Sequence, residues 1–553
     1  MTYPKIPLAQ SIIELCLAKG VTQIIISPGS RNAPLTIGFV NNPNFTCYSI
    51  ADERCAAFFA LGIAQQTKQA VAVVCTSGSA LLNYYPAVSE AFYSQIPLVV
   101  ISADRPQSKI DIGDGQTIRQ ENVFANHSLY NANLLEEASA ENDLKICQAI
   151  DTALHQKGPV HINAPFEEPL YETVSDLSVA VNVSAFAKEP LLISKSELDI
   201  PASIWNKSKK KLILVGVNDP NTIDKEIIDF LANDPSVVVM TETTSNLHHP
   251  NFISNIDTII TPFTEVDFQN FQPDILVSFG GMIVSKRIKA FLRKYKPEQH
   301  WHIDRLRGYD TFGVLTHHFK EEPNSFFKSF LPLTQKVNSS YFDKMNQVAI
   351  LRNQKSTEYL NKIPFSDFVV FEKVIKSLPK ESQLQISNSS AIRYAQLIAI
   401  DSTVEVFCNR GTSGIDGSTS TAIGAALVNK KQTTLITGDV SFLYDSNALW
   451  NNYISKDFKI IIINNGGGGI FRILPGHQET PVFNTFFETS HQLTAEHLAK
   501  MYGFTYSVAH EIKSLETSLF AFFQQNDTPS ILEIFTPTLD NDKILLQFFK
   551  ELV

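Results

Sequence analysis

Asp439 and Asn465 each stand where an apolar run gives out. The run 433–437 ends in Gly438-Asp439, and the run 459–463 ends in Asn464-Asn465 followed by four glycines, Gly466 to Gly469. Between them Phe442, Leu449 and Tyr453 recur at helical spacing. Strand, helix, strand is a βαβ unit, whose parallel strands bring their carboxyl ends side by side. Open α/β sheets bind ligands at such ends. A carboxylate, an amide oxygen and a backbone carbonyl freed by the glycine run make an all-oxygen set. That set suits Mg²⁺ or Mn²⁺, with phosphate oxygens and water completing the octahedron. Gly-Asp and Asn-Asn-Gly are also ordinary turn sequences, so either half alone is weak. A dinucleotide fingerprint fails on spacing, because Phe471 holds the last glycine position of G-x-G-x-x-G. The two halves at neighbouring strand ends are the specific signal.

Two such ends require a sheet, and the chain supplies material for more than one. Its 553 residues allow two to four domains, at about 150 residues each. Residues 1–180 begin with Leu8, Ile12, Leu15 and Cys16 at helical spacing. Apolar runs then follow at 21–27, 46–50, 70–75 and 98–102, each ending in a polar cluster that opens a helix. Near-continuous apolar strands with helices between them predict a parallel sheet buried on both faces. Residues 181–350 repeat the pattern with runs at 211–217, 236–242 and 275–279, after a loosely patterned stretch at 181–200. Residues 351–553 carry runs at 383–387, 404–409, 433–437, 459–463 and 530–535. Residues 319–360 are polar and read as a linker. The expected fold is three doubly wound parallel-sheet α/β domains, 1–180, 181–350 and 351–553, the first and third sharing one architecture.

Composition narrows the function. A net charge of −10 argues against nucleic acid as a partner. The six cysteines (Cys16, Cys47, Cys55, Cys75, Cys147, Cys408) show no C-x-x-C pairing and read as reduced core residues of a cytoplasmic protein. The opening MTYPKIPLAQ lacks a signal-peptide pattern, and no apolar run reaches the length of a membrane span. His248-His249 and His317-His318 lack a metal-ligand spacing and are assigned to loops. Asp445 is read as a turn or helix residue.

The Gly438-Asp439 and Asn464-Asn465 pair resembles the cofactor motif of thiamine-diphosphate enzymes, with Val440 where that motif usually has Gly. Residues 53–62, Glu-Arg-Cys-Ala-Ala-Phe-Phe-Ala-Leu-Gly, resemble the E-x-x-A-A-F-x-A-x-G pattern of the same family. By itself Glu53 is an acid at a helix start, where the macrodipole stabilises it by about 0.3–1 kcal/mol. The resemblance implies a second role, a hydrogen bond to the aminopyrimidine ring of thiamine diphosphate that supports deprotonation of its thiazolium carbon. It further implies a pyrimidine-binding domain at 1–180, a central domain, and a diphosphate- and metal-binding domain at 351–553. Asp439, Asn465 and the Gly467 carbonyl would hold Mg²⁺ or Mn²⁺. Gly438 and Ser441 would lie along the diphosphate. Ser389, Ile415, Ile470 and Phe471 would line the cofactor, Ile415 propping its bent form. In this family the Glu and the metal come from different subunits, which implies a homodimer or dimer of dimers with interfacial active sites.

Six cations stand at strand ends or just beyond: Arg31, Arg105, Arg393, Arg410 and the pair Lys286-Arg287. Singly each reads as surface charge. Together, on an acidic chain, they read as a site for dicarboxylates, which Arg forks match bidentately. The blocks 27–35, 76–80, 102–106, 409–417 and 464–471 are similar to one carboligase branch of the family. That branch serves menaquinone biosynthesis, using 2-oxoglutarate and isochorismate. The resemblance implies decarboxylation of 2-oxoglutarate and 1,4-addition of the succinyl unit to isochorismate. Ser389, Arg393 and Arg410 would act with Glu53 on the oxoglutarate-derived part. Ser30, Arg31, Arg105, Gln116, Lys286 and Arg287 would hold isochorismate. Two other readings stand beside it: a 2-oxo acid decarboxylase or acetohydroxyacid synthase-like carboligase on smaller substrates, and a non-enzymatic nucleotide-binding scaffold.

Overall fold

The computed structural model describes residues 2–185, 195–474, 476, 478–524 and 527–553. Three all-parallel sheets form its frame, with helices on their faces. The N-terminal sheet contains β1 (Gln23–Ile26), β2 (Thr46–Ser49), β3 (Val71–Cys75), β4 (Leu98–Asp104), β5 (Tyr130–Asn133) and β6 (Pro159–Pro165), in the order β2-β1-β3-β4-β6-β5. The central sheet contains β7 (Lys211–Val215), β8 (Val237–Thr241), β9 (Ile275–Phe279), β10 (Gln299–Ile303) and β11 (His317–Phe319), ordered β8-β7-β9-β10-β11. The C-terminal sheet contains β12 (Gln383–Ile386), β13 (Glu405–Phe407), β14 (Thr433–Gly438), β15 (Lys459–Asn464), β16 (Thr505–Ala509) and β17 (Ser530–Phe535). Their order is β13-β12-β14-β15-β17-β16, so the outer sheets share one topology. In each, the strand order reverses between the first strand and the third, and the crevice there is the ligand-binding position of this fold. For the C-terminal sheet it lies between residues 387–390 and Gly438-Asp439. For the N-terminal sheet it lies between residues 27–31 and 76–79.

Burial explains why these runs are strands. Every residue of β3, β4 and β15 is buried, as expected for sheets covered on both faces. Helix Glu53–Thr67 starts where Asp52 accepts the backbone N–H of Cys55 at 3.1 Å. It crosses helix Ser418–Val428 at closest approach through a glycine on each side. A Cβ on Gly62 would lie 2.1 Å from the Thr421 carbonyl oxygen, and one on Gly424 2.1 Å from that of Phe59. Ala56, Ala57, Ala60, Ala422 and Ala426 continue the seam, so one hydrophobic core runs through both outer domains.

Three local expectations are corrected. Residues 319–360 contain helix Pro323–Phe330 and the twenty-residue helix Tyr341–Leu360. The latter buries only Tyr341, Met345, Ala349 and Ser356, a narrow stripe that leaves its composition as polar as a linker. His317 and His318 lie on β11, an edge strand, rather than in a loop. Residues 439–453 are not one helix. Helix Asp439–Tyr444 stops at Asp445, a 3₁₀ turn Ser446–Leu449 follows, and Tyr453 is in irregular chain. The break buries the Asp445 carboxylate against the Ser420 backbone N–H (2.7 Å) and hydroxyl (3.0 Å). Within the loosely patterned stretch at 181–200, residues 186–194 lie outside the described residues, and helix Lys195–Lys207 leads into the central sheet.

Candidate active site

β14 and β15 run in parallel register, Gly438 beside Ile463, which sets Asp439 next to the Asn464-Asn465 turn. The Asp439 carboxylate is buried. Its Oδ2 accepts the backbone N–H groups of Gly466 (2.9 Å) and Gly467 (3.0 Å), and its Oδ1 accepts that of Val440 (2.7 Å). His491 Nε2 lies 3.4 Å from the same Oδ2. The glycines are required: Gly466 has φ +80°, and a Cβ on Gly467 would lie 2.7 Å from the Glu488 carbonyl oxygen. Asn465 donates its Nδ2 to Asp367 Oδ2 (2.9 Å), while the Thr538 hydroxyl donates to the Asn465 carbonyl (2.7 Å). The Asn465 Oδ1 is therefore the amide atom left to serve a cation. No cluster of three His, Cys, Asp or Glu side chains suited to a metal occurs among the described residues. A hard ion coordinated by one acid, one amide and one carbonyl fits this donor set.

On the other side of the crevice Ser389 precedes helix Ser390–Ala395 with φ +66°, a conformation costly for a residue with a Cβ and frequent at functional sites. Asn388 fixes the neighbouring loop, donating to the carbonyls of Asn409 and Gly414 (2.7 Å each) and accepting from Arg410 Nη1 (2.6 Å). Ser441 Oγ donates to the Ile415 carbonyl at 2.8 Å, tying that loop to the helix that Asp439 opens. Glu90, from the N-terminal domain, closes the loop from below. Its buried carboxylate accepts the N–H of Gly411 and of Thr412 at 2.7 Å each. A narrow cavity is lined by Arg393, Asn465, Ile470, Tyr394 and Arg472, among others, bringing three of the expected site residues to one wall. Phe471 stands edge-on to Phe487.

The Arg393 side chain makes no hydrogen bond among the described residues, and Arg410 Nε is buried without a partner. Burial, then repulsion from Arg410, pulls the Arg393 guanidinium below its ordinary pKa. Lys286 and Arg287 open helix Lys286–Lys294, capped by Ser285. Cations at a helix N-terminus oppose the macrodipole, and a buried acid, Glu242, and a half-buried one, Asp257, lie against them here. Glu242 accepts the N–H of Val284 and Ser285 at 2.6 Å each, and burial pushes its pKa up to about 7. Burial likewise raises Asp257, against its Ser285 hydrogen bond and the charges of Arg287, Arg393 and Lys289. The result is a basic focus at the junction of the central and C-terminal domains.

The N-terminal crevice gathers a second set. Arg31 is buried, with Nη1 on the Phe166 carbonyl (3.0 Å), Nη2 on Glu168 (3.1 Å), and Nε without a partner. Its backbone N–H reaches Thr76 Oγ1 at 3.3 Å. Arg105 Nη1 donates to Ser77 Oγ (2.8 Å) and to the Gln116 carbonyl (2.7 Å), and Gln116 Nε2 donates to the Ser77 carbonyl (3.2 Å). Ser30 is exposed at the tip of the first turn. Glu53 accepts from Asn83 Nδ2 at 3.2 Å and, among the described residues, bonds to nothing in the C-terminal domain. Within one chain the sequence-predicted residues thus form two groups. Sequence reasoning missed Asn388, Asp367, Glu90, Glu242, Asp257 and Lys289. Lys289 alone carried a local signal, on the same short basic run as Lys286-Arg287.

Comparison with known proteins covers the stretches that carry both groups. Residues 6–125 match the family model "Thiamine pyrophosphate enzyme, N-terminal TPP binding domain", and residues 389–534 match its C-terminal TPP binding domain counterpart. Residues 197–386 match "Middle domain of thiamine pyrophosphate". The chain is 70% identical to the 2-succinyl-5-enolpyruvyl-6-hydroxy-3-cyclohexene-1-carboxylate synthase of Flavobacterium johnsoniae, covering 100% of each chain. The chain belongs to that family of thiamine pyrophosphate enzymes. Synthases of the same name from Flavobacterium psychrophilum and Christiangramia forsetii are 69% and 50% identical, covering 100% and 99% of each chain. The three matches follow the three sheets in turn, although the N-terminal match ends before β5 and the middle one takes in β12, a strand of the C-terminal sheet.

Proposed function

We infer that this protein is a thiamine-diphosphate-dependent synthase that decarboxylates 2-oxoglutarate and adds the succinyl unit to isochorismate, yielding 2-succinyl-5-enolpyruvyl-6-hydroxy-3-cyclohexene-1-carboxylate for menaquinone. The carrying observation is the match to synthases of that name over the whole chain, at up to 70% identity among those compared. Bound thiamine diphosphate supplies the electron sink for loss of CO₂ and for the carbon–carbon bond. The protein supplies position and charge. Unpartnered guanidinium nitrogens on Arg31 and Arg410 and the free Arg393 fork suit substrates bearing two carboxylates each. Arg393, Arg410 and Ser389 hold the oxoglutarate-derived part, beside the basic focus at Lys286 and Arg287. Arg31, Arg105, Gln116 and Ser30 hold isochorismate with that Lys-Arg pair. Glu53 accepts a hydrogen bond from the pyrimidine ring. Asp439, Asn465 and the Gly467 carbonyl hold Mg²⁺ or Mn²⁺ against the diphosphate, with Gly438 and Ser441 alongside. Ile415, Ile470 and Phe471 form the apolar wall.

In this reading residues 1–180 serve the pyrimidine end and 351–553 the diphosphate end. Among the described residues Glu53 bonds to no group of the metal loop of its own chain, which supports a homodimer, or a dimer of dimers, with each site completed across the interface. A cytoplasmic setting fits six cysteines that are all free. No helix among the described residues is long and apolar enough to cross a membrane. The test is an assay with thiamine diphosphate, Mg²⁺, 2-oxoglutarate and isochorismate that follows isochorismate absorbance and CO₂ together. Loss of isochorismate in step with CO₂ release, both abolished by chelator, is expected. CO₂ release without loss of isochorismate would replace the synthase by a simple decarboxylase.

A further inference from the structure

An acid in the first turn of a helix needs no more explanation than the macrodipole, provided that it faces water. Asp367 opens helix Asp367–Ser377 but is only 2% exposed. Burying a carboxylate is costly unless its lone pairs are filled. Here they are filled by two chosen donors: Asn465 Nδ2 on Oδ2 (2.9 Å) and the Thr536 hydroxyl on Oδ1 (2.5 Å). Asn541 Oδ1 accepts the Asp367 N–H at 2.8 Å, so the carboxylate is held from behind. The Thr538 hydroxyl fixes the Asn465 carbonyl, and the Thr536 N–H fixes that of Asn464 (3.0 Å). The asparagine turn is thereby locked on its backbone and on one side of its amide.

An amide has two unlike ends. Its oxygen can ligate a cation, and its NH₂ group cannot. We propose that Asp367 is the positioning residue that decides which end of Asn465 is offered to the metal: its Oδ2 captures Nδ2 and so turns Oδ1 the other way. The inference rests on reading Asp439, Asn465 and Gly467 as the metal ligands. It also explains why a carboxylate is buried there at all. In the Asp367→Asn variant the new amide would keep its oxygen toward Thr536 and offer its NH₂ group to Asn465, whose own amide would flip and present NH₂ to the cation.

The experiment is a Mn²⁺ titration of the full chain with thiamine diphosphate present, counting free ion by electron paramagnetic resonance, alongside thermal unfolding without metal. Groups that orient metal ligands typically change affinity by about 10–100-fold when removed. D367N is expected to weaken Mn²⁺ by about that factor, and D367A by less, because it frees the amide without reversing it. The isosteric swap D367N/N465D keeps the net charge. It returns an oxygen to the metal, since the carboxylate now on the turn accepts from the amide now on the helix, and is expected to recover most of the affinity. A purely structural role for Asp367 predicts no such recovery. Wild-type uptake with D367N binding equally well, or a folded swap that fails to bind, overturns the inference alone. A wild-type protein that takes up no Mn²⁺ overturns the metal site and this inference with it.

Discussion

The two outer sheets have the same strand order, the same all-parallel register and the same crevice, yet their edges are furnished in opposite senses. The N-terminal edge is lined by guanidinium groups already engaged with their own surroundings: Arg31 with Phe166 and Glu168, Arg105 with Ser77 and Gln116. The C-terminal edge sets a buried acid, an amide and glycine backbone, the donor set proposed above for a cation, across the crevice from Arg393 and Arg410. On the function proposed above, one topology would serve an anion at one end and a metal at the other. Topology fixes where a ligand can lie, and the few residues after each strand fix what it is.

Substitutions separate the two edges. The largest loss is expected from Glu53→Gln, which should lower turnover by about 10²–10⁴-fold while cofactor affinity, read by calorimetry, changes little. Full turnover in this variant would remove Glu53 from the chemistry. Asp439→Ala should reduce turnover by about 10²–10³-fold through loss of Mg²⁺-dependent cofactor binding, and the same titration reads that directly. The arginines sharpen the contrast. Loss of a charged hydrogen bond is worth about 1.5–3 kcal/mol, so Arg393→Ala should raise the KM for 2-oxoglutarate, and Arg105→Ala that for isochorismate, by about ten- to a hundredfold. Equal effects on both substrates would merge the two subsites.

The smallest effect concerns the seam between the regions. Burial pushes Asp445 up to about 6, opposed by the Ser420 donors and by Arg54, 3.7 Å away. Its folded-state pKa lies above its unfolded value of 3.8, so the folded chain holds the extra proton between pH 4 and 6. Stability from this group is present below that window and is lost as pH rises through it. Asp445→Asn should flatten that slope, moving the unfolding temperature by roughly 2–4 °C per kcal/mol in scans across the window.

Much of this was legible because chemistry sat beside pattern. Asp439 and Asn465 follow unbroken apolar strands, and periodicity places strand ends well. β5 and β16 escaped because edge strands are half exposed and carry no continuous apolar run. β6 and β10 escaped because they carry polar residues inward. Ser102 meets one ring nitrogen of His161 and the Asn163 amide oxygen, and Ser278 meets one ring nitrogen each of His300 and His302. The buried acids left no local trace at all. Glu90 meets Gly411 across 321 positions, and Asp367 meets Asn465 across 98. Only the assembled fold brings such partners together.

The glycine crossing between helices Glu53–Thr67 and Ser418–Val428 has an evolutionary corollary. Main chain touches main chain there, so the angle between the two outer domains is set by peptide dimensions rather than by exchangeable side chains. Sequence drift elsewhere in the core can alter packing without tilting one sheet against the other. New substrates on this scaffold would then be met by changes in the strand-end loops, while the crossing that carries those loops leaves no room for a side chain.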